Sequence, residues 1–323
     1  MDTVTRLPDV YFPNLGIRFY NLPRFLIGDD PDFSLIYISG WPFNIYLYAV
    51  MIAIGLTLAA LVGFWYVHVS KQKFDDYFSL LIIGFFFAII GLRFYFVIFN
   101  WEMYADRGLL AAMFDIRDGG LAIFGGIIGA AIAALVVSKQ KKIPFRVMAD
   151  TGAPSMLVGQ SIGRWGNFFN REAFGGFSDG LFAMRIRVDQ AMYTTDELLQ
   201  TAVVYYGDVR YFQVHPTFLY ESVLTCLFFV FLYLYRPHKK FDGEILLLYF
   251  FGYGLIRFIV ERLRTDQMML FGSNIPLNMV TSALFMLVSA ALIIKGHQLA
   301  RKKLNVNPVT KPTSTKTRRK NGH

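Results

Sequence analysis

Cysteine is all but absent: 323 residues hold only Cys226, set inside an apolar run. A lone thiol excludes an internal disulfide framework and a dithiol redox centre, and with no His/Cys/Asp cluster at ligand spacing the chain offers no metal site and implies no cofactor. Charge is scarce as well. Only 17% of residues are charged, where soluble domains carry roughly a quarter. The opening MDTVTRLPDVYFPNLG lacks a basic region followed by an apolar core, so no cleavable leader is expected and the first spanning helix must direct insertion. Lysine is missing from every other inter-helix segment, an absence that sets orientation below.

What is present in quantity is apolar surface. Hydrophobic residues make up 55% and aromatics 17% of the chain, and the mean hydropathy is +0.42. This composition defines a polytopic membrane protein. The net charge of +9 would suggest nucleic acid in a soluble chain, but here its placement matters more than its size. Apolar runs predict helices near Ile45 to Val67, Phe78 to Phe99, Gly120 to Val137, Phe145 to Ile162, Phe218 to Tyr235, Glu244 to Val260 and Ile275 to Ile294, each long enough to cross roughly 30 Å of hydrocarbon. The expected fold is an all-α polytopic membrane protein with seven transmembrane helices and a small extracytoplasmic subdomain. Residues 1–44 read as an exposed or interface-lying extracytoplasmic N-terminal arm, 45–296 as the seven-helix transmembrane domain with an extracytoplasmic insertion at 163–215, and 297–323 as a basic cytoplasmic tail. Alternation over Phe182 to Val188 predicts a short strand or two in the insertion.

All 13 lysines fall in alternate segments: Lys71 and Lys73, then Lys139, Lys141 and Lys142, then Lys239 and Lys240, then six from Lys295 onward. The positive-inside rule makes those segments cytoplasmic, with the N-terminus outside and the C-terminus inside the plasma membrane. Trp41, Trp65, Trp101 and Trp165 stand near predicted helix ends, where interface anchors belong.

Polar chemistry is concentrated in Gly163-Arg164-Trp165-Gly166-Asn167-Phe168-Phe169-Asn170-Arg171-Glu172-Ala173-Phe174-Gly175-Gly176. Its glycines allow close backbone approach, and its Arg, Asn and Glu side chains suit an anionic, oxygen-rich ligand. A polar loop capping a membrane helix is the plainer alternative. Asp150 and Pro154 interrupt the helix just before it, which predicts that this helix lines a cavity. Arg257 and Glu261 lie i to i+4 on one face of the sixth run, where an unpaired charge near the bilayer centre would cost about 3 kcal/mol or more; they are either a structural ion pair or an oriented phosphate-binding arginine. Arg93 raises the same question and reads as structural. The glycine block around Gly125 and Gly126 suits either an anion at a helix start or tight helix packing. His215, before Pro216, is either a base or a cap. A carrier or channel for an organic anion could use the same arginines, and it would show inverted repeats and a polar path to both faces. The polar motifs instead gather toward one side.

Taken together, GRWGNFFNREAFGG, the DGG…GGIIG block, HPTFLYE, RFIVERLR and the Tyr48-containing IYLYAVMIAIGL resemble, in order, the landmarks of the bacterial prolipoprotein diacylglyceryl transferases. The resemblance runs from the first helix to the seventh. It implies an enzyme that moves the diacylglyceryl group of phosphatidylglycerol onto the lipobox cysteine of a prolipoprotein and releases glycerol phosphate, the first step of bacterial lipoprotein maturation. It places the lipid-binding arginine on Arg164, with Asn167, Asn170 and Glu172 in the same motif, the second essential arginine on Arg257 beside Glu261, and the first-helix tyrosine on Tyr48. One position departs from the pattern. Many members carry His before the Gly-Gly pair, and here Phe124 stands there. A phenyl ring takes no proton, so His215, Glu261 or Tyr48 serves as base, or the thiol ionises unaided.

Overall fold

The computed structural model describes residues 7–104, 108–114, 120, 122–270 and 273–306. Asp118, Gly119 and most of the basic tail lie outside them. Helices in chain order are α1 (Leu47–Val69), α2 (Phe74–Phe99), α3 (Leu109–Phe114), α4 (Ile123–Lys141), α5 (Phe145–Asn170), α6 (Asp196–Thr201), α7 (Thr217–Tyr235), α8 (Glu244–Glu261) and α9 (Leu277–Val306). Five of them, α1, α2, α4, α7 and α9, are long and apolar enough to cross a membrane. Charge sets α8 apart, with Glu244, Arg257 and Glu261 in its length, and α5 is similarly interrupted by Arg146, Asp150 and Arg164. Those two carry most of the polar residues singled out in the sequence.

Strands make the fold more than all-α. They are β1 (Val10–Phe12), β2 (Ile17–Phe19), β3 (Phe25–Gly28), β4 (Ser34–Tyr37), β5 (Ile45–Tyr46), β6 (Met184–Arg187), β7 (Val203–Tyr206) and β8 (Val209–Val214). A five-stranded sheet runs β2-β1-β6-β8-β7 and a three-stranded sheet β4-β3-β5. The N-terminal segment is therefore no free arm: Val10 registers with Ile186, and Val10, Tyr11 and Phe12 are all buried. Alternation explains why. Val10, Phe12, Met184, Ile186, Phe212 and Val214 share the inner face and pack with Phe168, Phe174 and Phe218, so the strands exist to cover apolar surface at one end of α5 and α7. The alternation over 182–188 marks β6; its partners, distant in sequence, have no local signature.

α1 and α5 cross antiparallel, with Gly55 against Gly159 and Tyr48 against Gly166. At Gly166 a Cβ would lie 2.8 Å from the Tyr48 ring, so only glycine lets α1 come this close. Gly125 and Gly91 meet backbone to backbone between α4 and α2, and Gly126 abuts Leu92. Both glycines of the pair thus serve helix packing. Arg93 is buried at 2% exposure and donates to the Ala112 and Gly120 carbonyls at 2.9 and 3.1 Å, the structural part expected of it.

α5 runs beyond its predicted end at Ile162, through the polar motif to Asn170. Arg171 then adopts the left-handed conformation at φ 55°, and Glu172 N–H bonds the Asn167 carbonyl at 3.0 Å in a Schellman-like close. Arg164 and Trp165 find partners on α7, and Asn167 and Asn170 donate to Glu172 in the turn that closes the helix, so the polar side chains do not break it. At the opposite end, Asp150 accepts from Gly243 N–H at 2.8 Å, Leu246 N–H at 3.0 Å and Lys239 Nζ at 3.2 Å. It caps the start of α8 from a neighbouring helix. Replacing Asp150 by Ala should cost about 1–2 kcal/mol of stability, the value of a lost N-cap; thermal unfolding of the variant beside the unmodified protein checks it.

Lysine-bearing connections all meet at that end. Lys141 lies 3.4 Å from Asp76, Lys239 bonds Asp150, and Gln72 bonds Thr151. Among the described residues, the polar motif occupies the other end of the bundle.

Candidate active site

Arg164 extends from α5, Glu221 from the second turn of α7, and Tyr253, Arg257 and Glu261 from α8. Spacing along each helix aligns them: Glu221 follows the helix start at Thr217 by one turn, and Tyr253, Arg257 and Glu261 recur every four residues on one face. Glu221 is the junction. Its Oε1 lies 2.8 Å from Arg164 Nη2 and accepts from Tyr253 Oη at 3.2 Å, while its Oε2 accepts from Arg257 Nη1 at 3.1 Å. Arg257 turns its other terminal nitrogen to Glu261 Oε2 at 2.8 Å, and Glu261 Oε1 accepts from Asn278 of α9 at 2.9 Å.

The four charges therefore compensate one another, two guanidinium against two carboxylate, and both carboxylates are buried, at 1% and 0% exposure. Such burial is tolerable only because each oxygen is paired. The arginines differ in what remains free. Arg257 has both terminal nitrogens on carboxylates, whereas Arg164 has one on Glu221 and a larger exposed fraction, 22% against 14%. The arrangement can hold an oxyanion on the open side of Arg164 through directed N–H donors, and Arg257 steadies the carboxylate behind it.

Of the residues expected from the sequence, Arg164, Arg257 and Glu261 converge, and Tyr48 stands beside them against Gly166. Asn167 and Asn170 turn instead to Glu172, whose Oε1 accepts from them at 2.9 and 3.3 Å. That triad ties the end of α5 to the turn after it, one helical turn beyond Arg164. Asp150 is not brought to the site, being fourteen residues earlier on the same helix, roughly 21 Å along its axis. Gly125, Gly126 and Phe124 belong to the α2–α4 pair; Phe124 is 44% exposed and its ring lies 6.3 Å from that of Tyr95. Glu221 was missed, although its signal was legible: a carboxylate in the apolar run TFLYESVLTCLFFV must have a partner.

His215 joins the loop between β8 and α7. Its main chain pairs with Gly175 and Gly176, and its Nδ1 lies 3.3 Å from Tyr220 Oη. Among the described residues no hydrogen bond or ion pair links it to Arg164, Glu221 or Arg257. Burial lowers its pKa below the usual 6.5, so the ring is neutral at pH 7. Because the folded state holds the proton less tightly than the unfolded chain, this residue's stabilising contribution is complete above about pH 6.5 and declines as the pH falls through and below that value. His215→Gln should flatten that acid decline in thermal stability and leave the rising limb of the rate-against-pH profile in place; a rising limb that vanished would identify the ring as a base.

Fold and site together define a multi-pass helical membrane protein with a buried arginine–carboxylate cluster opening beside a sheet-bearing end. Within that class, the chain belongs to the prolipoprotein diacylglyceryl transferase family, whose pattern matches residues 35–295. It is 36% identical over 254 residues to the phosphatidylglycerol--prolipoprotein diacylglyceryl transferase of Finegoldia magna, covering 78% of this chain and 89% of that one. The enzymes of the same name from Bacillus cytotoxicus and Bacillus cereus are each 37% identical, over 76% of this chain and 86% of theirs.

Proposed function

We infer that this chain is a membrane transferase that moves the diacylglyceryl group of phosphatidylglycerol to the lipobox cysteine of a prolipoprotein, in the first step of lipoprotein maturation. The observation that carries the reading is the convergence of Arg164 and Arg257 on Glu221 at the end of the bundle away from the lysines. The lipid's phosphodiester sits on the open side of the Arg164 fork. The lipobox sulfur attacks the glycerol carbon that bears the phosphate, a C–S bond forms, and the C–O bond to phosphate breaks. Glycerol phosphate leaves with both electrons of that bond, and the thiol proton is released. The phosphate gains a second negative charge in this step, and the donors of Arg164 meet it where it develops.

Phe124 donates and accepts no proton, and Glu261 is engaged by Arg257 and Asn278. Tyr48 and His215 remain as proton acceptors, with ionisation of the thiol to solvent as the simplest route; a thiol of pKa about 8.5 already supplies a few per cent thiolate near pH 7. Asn167, Asn170 and Glu172 act by fixing the end of α5, the helix that carries Arg164 toward the lipid. α5 and α8 complete seven spans, with the site outside and the lysine end cytoplasmic. A cysteine placed at Lys141 should accordingly resist an impermeant thiol reagent on intact cells and react after permeabilisation.

The deciding assay uses purified protein, phosphatidylglycerol and a lipobox peptide. The expected result is a peptide heavier by one diacylglyceryl group, with one glycerol phosphate released per peptide. Lipid-independent or serine-tolerant modification would overturn the reading.

A further inference from the structure

The reading of Arg164 as the phosphate ligand gives depth a meaning along α5. This helix runs from the lysine end toward the site, so Gln160, four residues before Arg164 on the same face, lies roughly 6 Å further into the membrane. Gln160 is half-buried and donates from Nε2 to Tyr249 Oη on α8 at 2.8 Å. Its Oε1 is buried with no hydrogen-bond partner among the described residues. Tyr249 is 4% exposed and stacks at 5.9 Å on Tyr253, which bonds Glu221, so the pair is continuous with the arginine cluster. A buried amide oxygen left unsatisfied costs about 1–3 kcal/mol.

Turning the amide over exchanges the unpaired acceptor for an unpaired donor, which the acceptor of a ligand would satisfy. Tyr249 then donates to Oε1, and the NH₂ group points to the place where an acceptor is lacking, with two donors to offer. Phosphatidylglycerol bound with its phosphate on Arg164 has its hydrogen-bond acceptors a few bonds inward from that phosphate, on the two ester groups of the glycerol. We propose that Gln160, held by Tyr249, is a specificity-determining residue that donates a hydrogen bond to an ester carbonyl of the lipid substrate and so selects diester over diether phospholipid. One hydrogen bond of this kind corresponds to about ten-fold in affinity.

The test compares diester phosphatidylglycerol with its dialkyl ether analogue, which keeps the head group and chains but has no carbonyls, in the peptide-transfer assay. In the unmodified enzyme KM for the diether should exceed that for the diester by about ten-fold. Gln160→Met should bring this ratio close to one by raising the diester KM. Tyr249→Phe, which removes only a hydroxyl, should lower the ratio part of the way and decides the matter if Gln160→Met does not fold. A ratio near one in the unmodified enzyme, or a ratio unchanged by the folded variants, overturns the proposal. No transfer from either lipid by the unmodified enzyme would instead overturn the transferase reading on which it rests.

Discussion

Replacing Glu221 by Ala should destabilise the protein by about 3–5 kcal/mol and abolish measurable transfer, because the change leaves Arg164 without its carboxylate and Arg257 with Glu261 alone. Loss of charge and loss of shape separate in a second variant. Glu221→Gln keeps an acceptor for Tyr253 and nearly the same volume, so it should recover much of the thermal stability while transfer stays at least about 100-fold down, the scale of a misplaced charge stabiliser. Unfolding in detergent micelles and the lipobox-peptide assay read the two effects independently. If Glu221→Ala kept both its melting temperature and its rate, the cluster would have no organising centre and the account of the site would fall.

The second large effect is expected at Arg164. Lysine there preserves the charge and can still reach Glu221, but it offers a compact ammonium in place of a planar fork. One terminal nitrogen of Arg164 is committed to Glu221, so a phosphate must use the others. Lysine cannot hold both partners in fixed geometry. Arg164→Lys should therefore lower the transfer rate by at least about 100-fold with little loss of stability. Near-normal turnover would remove Arg164 from phosphate recognition. Arg257→Lys makes a useful contrast: both terminal nitrogens of Arg257 are on carboxylates, so this variant should lose stability as well as rate.

Much of the bundle was legible in the chain. The long apolar runs and the alternating lysines mark helices and ends, because both depend on side-chain transfer free energy residue by residue. The motif around Arg164 and the Arg257–Glu261 spacing were legible for the same reason, as local departures from an apolar background. The extension of α5 to Asn170 was not. Polar residues there look like a loop until their partners on α7 and α8 are known. Asp150 illustrates the converse: a carboxylate in an apolar helix demands a partner, but its sequence did not say that the partner is the backbone of residues 243 and 246.

The sequence by itself determined that this is a helical membrane protein, which end carries the lysines, and which short stretch concentrates Arg, Asn and Glu side chains. Tertiary structure alone decided that β1 pairs with β6 and so builds a sheet over one end, that Gly125 serves packing against Gly91, and that Glu221 joins Arg164 to Arg257. The physical reason is common to all three. Hydropathy and helical period are properties of neighbouring residues, whereas strand pairing, close helix contact and ion-pair choice depend on which distant surfaces meet, and that is settled only when the whole core packs.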